Sequence, residues 1–208
     1  MKKQSLNGAW TLDIPGTAFG PVPAQVPGSV YHDLLLSGKI PDPFYRDNEN
    51  EALKLMEHDF VYTRSFCADA ALLHCGTVLL RCEGLDTLAE IMLNGSPVGR
   101  ADNMHRTWEY EVGPLLQEGE NRIEVRFSSP TRFIREAYAE NRADGSSDAM
   151  AGFPLLRKAH CMFGWDWGPR LPDAGIWRDI ALIGIERARI RDVLVLQEHA
   201  PDAVTLRV

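Results

Sequence analysis

The sequence predicts an all-β chain: a jelly-roll β-sandwich with a few short helices, followed by the first strands of a second β-sandwich. Three observations carry this expectation. Short runs rich in β-branched and aromatic residues recur along the chain, several with a strict two-residue period. Turn pairs such as Asn7-Gly8 and Asn94-Gly95 punctuate them. Helical apolar spacing is confined to two places.

A strand over 9–12 follows the Asn7-Gly8 turn. The run 60–66 alternates, with Phe60, Tyr62 and Arg64 on one side and Val61, Thr63 and Ser65 on the other. Strands over 77–82 and 88–93 come next, the second stopped by Asn94-Gly95. Both residues of that pair tolerate positive φ, which suits a tight hairpin turn. The run 107–112 alternates apolar with acidic residues, 121–127 points Ile123, Val125 and Phe127 inward, and another strand is expected over 176–183. A helix over 30–36 ends at Ser37-Gly38, and Pro41 and Pro43 enforce an extended exit. Ser129-Pro130 starts the other helix, because Ser caps free amides and Pro fits the first helical position. Beyond it Phe133, Ile134, Ala137 and Tyr138 form a stripe suited to core packing.

Past Ile185 the pattern changes. A polar stretch over 186–189 leads to a strand-like run at 190–196, a turn at Ala200-Pro201-Asp202 and a strand from Val204 to Val208. The backbone amides of that last strand need a sheet to pair with. The expected division is therefore a sandwich domain over 1–186 and the truncated start of a second β domain over 187–208.

With 208 residues, 45% hydrophobic and 25% charged, the composition is that of an ordinary globular protein. A net charge of -7 argues against nucleic acid or anionic lipid as a partner. Asn7, Gly8 and Asp13 interrupt the apolar stretch that a secretory leader needs, so the expectation is a cytoplasmic protein with no membrane span. Secretion would require a leader ahead of these residues. The cysteines at 67, 75, 82 and 161 lack CxxC spacing, and the six histidines form no HxxxH or HExxH pair. Buried free thiols, no metal site and no cofactor are expected.

The densest chemical signal lies at Phe163-Gly164-Trp165-Asp166-Trp167-Gly168-Pro169. Indole faces stack on the C–H faces of sugar rings, and a carboxylate accepts hydrogen bonds from neighbouring hydroxyls. Gly164 and Gly168-Pro169 argue for a fixed irregular loop, since in a regular strand Asp166 would point away from both tryptophans. An architectural reading stands beside this one. Two tryptophans near a chain reversal can simply plug the end of a sandwich, and Asp166 can cap loop amides.

That segment closely resembles the FGWDWGP signature in the sugar-binding domain of the β-mannosidases of glycoside hydrolase family 2. Leu6-Asn7-Gly8-Ala9-Trp10, Val26-Pro27-Gly28, Gly38-Lys39-Ile40-Pro41-Asp42-Pro43-Phe44 and Gly84-Leu85-Asp86-Thr87 resemble further motifs of that family. So do Leu93-Asn94-Gly95, Asn103-Met104 with Arg106, and Gly175-Ile176-Trp177-Arg178, and the likeness runs through most of the chain. The opening motif recurs in β-galactosidases and β-glucuronidases, whereas the PDPF and GWDWGP segments are far more restricted. The family often has a tryptophan near position 56 and another at position 60, where this sequence has Met56 and Phe60.

The resemblance implies a galactose-binding-domain-like jelly roll, then immunoglobulin-like domains flanking a TIM barrel. It implies retaining cleavage of terminal β-mannosides by two barrel glutamates, about 5 Å apart in retaining enzymes. Both glutamates lie beyond residue 208, so no catalytic residue is expected here and the chain alone should be inactive. Asn48-Glu49 and Asn50-Glu51 mimic the Asn-Glu acid/base motif but follow the PDPF segment, and are read as a solvated loop at the sandwich edge. The resemblance makes Trp165, Asp166 and Trp167 the candidate substrate-binding residues, with a β-mannoside oligosaccharide and the downstream barrel as partners. Arg106 and Arg178 are either ligand contacts or structural donors. A stand-alone carbohydrate-binding module, a purely structural sandwich and the front of an exo-β-glucosaminidase are the competing readings.

Overall fold

The computed structural model describes residues 1–208, arranged in antiparallel sheets. The chain enters through β1 (Lys2–Ser5), β2 (Gly8–Asp13) and β3 (Val22–Val26), then forms α1 (Val30–Leu36) and α2 (Glu49–Leu55). Strand β4 (Phe60–Cys67) and the short α3 (Ala70–Leu73) precede β5 (Thr77–Cys82), β6 (Leu85–Asp86), β7 (Ala89–Leu93) and β8 (Ser96–Ala101). Next come β9 (Trp108–Glu111), β10 (Glu120–Phe127) and α4 (Pro130–Glu140). The remainder comprises β11 (Phe163–Trp165), β12 (Gly168–Arg170), β13 (Gly175–Ile176), β14 (Ile180–Ile185), β15 (Leu196–His199) and β16 (Val204–Arg207).

Two sheets make the sandwich. One has the order β3-β2-β4-β10-β7-β8 and the other β1-β14-β5-β9. The two-residue period explains what lies between them. In β10 the odd positions Ile123, Val125 and Phe127 are fully buried, and in β5 Val78, Leu80 and Cys82 are their counterparts from the other sheet. Trp10, Leu12, Phe60, Tyr62, Ile91 and Leu93 complete the central layer of a 33-residue cluster. Each large side chain fully buried in this way contributes about 1.5–3 kcal/mol. Burial in apolar surroundings also pushes the Cys82 thiol up to about 12. Met56 and Phe60 belong to the same cluster, so these positions are core packing.

Several expected elements form where the sequence places them. The Asn94-Gly95 turn between β7 and β8 has φ of 52° and 78°, as a type I′ hairpin requires. Asn94 Nδ2 also donates to Leu115 O and Asn121 Oδ1, tying this turn to the start of β10. Helix α1 spans the expected residues. At α4, Ser129 Oγ accepts from the Arg132 amide at 3.0 Å with Pro130 in the first turn.

Other expectations are corrected. The strand expected over 176–183 is two separate strands. Trp177 breaks it by laying its indole against Gly84, where a Cβ would sit 2.5 Å from Nε1, and by donating that N–H to Met104 O. Asp179 then carries its own bonds, accepting from Asn7 Nδ2 and, through its carbonyl, from the Glu83 amide. The run 190–195 forms no strand, because Ile190, Val193, Leu194 and Val195 have no layer to pack against; pairing starts only at β15. Of the four thiols only Cys82 is buried, and Cys67 and Cys161 are exposed. Strand β1 lacks an apolar signature and is held by backbone pairing to β14, with Lys2 and Lys3 bridging to Glu186 and Asp179.

Candidate functional site at one end of the sandwich

The Trp-Asp-Trp segment is a hairpin. Strands β11 and β12 pair with Phe163 opposite Arg170 and Trp165 opposite Gly168, which leaves Asp166 and Trp167 as a two-residue turn. This corrects the irregular loop expected from the flanking glycines. The physical reason is that the chain reverses between the two indoles, so both tryptophans and the carboxylate can serve the same tip without breaking strand geometry. Irregularity survives at Gly164, whose φ of +101° excludes most side chains; a Cβ there would lie 2.6 Å from Arg170 Cγ.

Tip and base differ sharply. Trp167 is 78% exposed, Trp165 43%, and Asp166 is exposed with no protein donor on its carboxylate. The base is anchored. Phe163 is fully buried against Phe153, at 6.3 Å between ring centroids, and joins Ile134 of α4 and Leu156 in a four-residue cluster. Gly152 lets the chain pass α4 closely, since a Cβ at that position would meet Ile134 O at 2.3 Å. The Met150 amide donates to Phe163 O at 3.0 Å, and the Leu171 amide to Met162 O at 2.8 Å.

Helix α2 supplies the remaining anchor, and here the expected solvated loop at Asn48-Glu49-Asn50-Glu51 is corrected. Glu49 opens a helix, and its carboxylate takes the Arg170 backbone amide on Oε2 at 3.2 Å and Arg170 Nη2 on Oε1 at 2.9 Å. A pair this open to solvent adds only about 0.2–1 kcal/mol to stability, so its main consequence is geometric. Tyr31 Oη donates to Ala52 O at 2.9 Å, fastening α2 to α1.

Between α1, the Pro43-Phe44 segment and the hairpin lies a cleft of about 490 Å³. Leu35, Phe44, Met162, Trp167 and Pro169 form its apolar walls, and Phe44 is itself 74% exposed. Asp173 lies at its floor. That carboxylate accepts from the Tyr31 and Ala174 amides, yet burial pushes it up to about 6, against the opposing pull of the Ser29 hydroxyl, those amides and Lys158. Tyr31 is raised for the same reason, burial first and the charge of Asp173 second. Lys158 has no accessible side-chain surface; it pairs with buried Asp86 and donates to Asp173 O at 2.7 Å. Asp33, also raised by burial, accepts from Tyr62 Oη at 2.9 Å and from the Gln25 amide at 3.0 Å. This polar layer closes the end of the sandwich beneath the cleft.

Arg106 and Arg178 stack on neighbouring indoles, 4.4 Å over Trp108 and 4.0 Å over Trp177, and neither lines the cleft. Sequence reasoning brings together Trp165, Asp166 and Trp167 but misses Glu49, Arg170 and Phe44. Arg170 follows the Trp-Asp-Trp segment after Gly168-Pro169, and that proximity is the signal available for it; nothing local in the sequence pairs it with Glu49, 121 positions away.

The fold defines an antiparallel jelly-roll sandwich with an aromatic-acidic hairpin at one end. The family model for the glycosyl hydrolase 2 galactose-binding domain-like group matches residues 4–178, and the chain belongs to that family. A β-mannosidase from Capra hircus is 32% identical over 186 residues, covering 86% of this chain and 21% of that protein. Beta-mannosidase B from Aspergillus terreus is 33% identical over 211 residues, with 96% and 24% covered. The crystal structure of a β-D-mannosidase from Dictyoglomus thermophilum superposes with a TM-score of 0.90 at 38% identity, over 99% of this chain and 25% of that one. An exo-chitosanase from Amycolatopsis orientalis shares the fold at a TM-score of 0.67 and 17% identity, over 95% of this chain and 22% of that one. The chain thus spans about a fifth to a quarter of the length of these proteins.

Proposed function

We propose that this chain is the front domain of a retaining β-mannosidase acting on terminal, non-reducing β-D-mannose residues, and that it lends the substrate pocket one wall. The observation that carries this reading is the hairpin tip, where Trp165, Asp166 and Trp167 are exposed on an anchored base. Trp165 and Trp167 offer indole faces to the apolar side of a pyranose ring, and Asp166 accepts hydrogen bonds from ring hydroxyls. Within this chain the indoles stay exposed and no protein donor occupies the carboxylate, which leaves all three side chains available to a ligand.

The chemistry belongs to two glutamates of a barrel downstream in the same polypeptide. In this reading residues 1–186 are the sugar-binding domain and residues 187–208 open an immunoglobulin-like domain. Strands β15 and β16 pair with each other alone, and Leu196, Val204 and Leu206 are exposed. A two-stranded hairpin of this kind is marginal without a further layer.

The test compares the 208-residue chain with the longer protein on aryl β-mannoside and aryl β-glucosaminide substrates. The expected result is turnover of the mannoside by the longer protein and none by the 208-residue chain. Turnover by the short chain above a blank would sink the division of labour, and preference for the glucosaminide would transfer the domain to an exo-β-glucosaminidase.

A further inference from the structure

The geometry points to Glu49 as a positioning residue for the Trp-Asp-Trp tip, acting through Arg170. This rests on the proposed contact between tip and substrate. Four observations converge on Arg170, the last residue of the hairpin's returning strand, four positions from Asp166. Its backbone amide and its guanidinium are held by the two oxygens of one carboxylate, that of Glu49. Asn50 Oδ1 lies 3.4 Å from the same Nη2. Its side chain crosses Gly164 of the opposite strand so closely that no Cβ would fit there. And helix α2, which carries Glu49, is itself fixed to α1 by the Tyr31 hydroxyl.

A side-chain ion pair alone would leave the strand free to swing about the arginine stem. Capturing the backbone amide as well removes that freedom, because the carboxylate then fixes the path of the strand and not only its side chain. The opposite strand is held separately through Met150 and the buried Phe163. Glu49 therefore sets how β12 leaves the tip, and with it where Asp166 and Trp167 project. Small misplacements of groups that orient a substrate cost large factors in rate, so a clamp with little effect on stability can have a large effect on turnover.

The test has two arms. In the 208-residue chain, Glu49→Ala should speed hydrogen exchange of the Leu171 amide about tenfold, while amides of β5 and β10 keep their protection. In the longer enzyme, Glu49→Ala and Glu49→Gln should lower kcat/KM for an aryl β-mannoside by about 10–100-fold. The melting temperature should shift by no more than about 4 °C, because the pair adds so little to stability. Unchanged exchange at Leu171 overturns the clamp. Wild-type kinetics in Glu49→Ala, with Asp166→Ala impaired, overturns the positioning role alone. Wild-type kinetics in both variants overturns it together with the substrate contact it serves.

Discussion

The centre of the sandwich and its hairpin end are built on opposite rules. In the centre, a 33-residue cluster buries Tyr62, Phe60 and Phe127 completely; β3, β5, β7 and β10 contribute by alternation, while β4 and β14 bury consecutive residues. At the hairpin end a cluster of four residues secures only the base, while Trp165 and Trp167 stay in solvent at a high hydrophobic cost. Large exposed aromatics on an anchored support point to an interaction surface. The comparison teaches that the residues holding the fold and the exposed aromatic tip are spatially separated, so they can be perturbed independently.

Between the two regions lies the buried Lys158–Asp86 pair, and removing it should have the largest effect of all on the fold. Lys158→Ala leaves a carboxylate inside the protein without its counter-charge, which costs about 3–5 kcal/mol. Chemical denaturation measures this directly, and a cost below about 1 kcal/mol would mean that Asp86 is solvated or neutral. Phe127→Ala should cost a similar amount, about 3–5 kcal/mol, by opening a cavity between the sheets. Its counterpart, Trp167→Ala, should stay within about 0.5 kcal/mol of wild type, because that side chain is solvated. If both aromatic truncations destabilised equally, the separation of the two regions would be broken.

The polar layer beneath the cleft adds a pH dependence. Asp173 is raised from an ordinary carboxylate to about 6 in the folded chain. The folded state therefore binds that proton more tightly than the unfolded one. Its stabilising contribution is complete below about pH 4 and is lost as pH rises through about 6. Asp33, raised in the same direction, adds to this trend. Asp173→Asn should flatten the stability profile between pH 4 and pH 6, read from melting temperatures across that window. An unaltered profile would assign the dependence to other groups.

The contrast also explains what the sequence makes legible. Period-two alternation at 77–82 and 121–127 reports on a flat sheet with one buried face, and those strands form as expected. The Asn94-Gly95 turn and the Ser129-Pro130 start are equally readable, because each is a local backbone requirement. The break at Trp177 is not local: it depends on Gly84 and Met104 from another part of the chain. The same holds at the hairpin end. Its chemistry is visible in the residue types at 165–167, but the support that aims it comes from α2, α4 and residues 150–156. Glu49 looks like a loop residue until the fold brings Arg170 beside it.

The most direct test of this separation is Asp166→Ala in the longer enzyme, assayed on an aryl β-mannoside alongside its melting temperature. A charged hydrogen bond to substrate is worth about 1.5–3 kcal/mol, so kcat/KM should fall roughly 10–100-fold while the melting temperature stays at the wild-type value. Wild-type kinetics, or a loss of activity that merely tracks unfolding, would contradict the account.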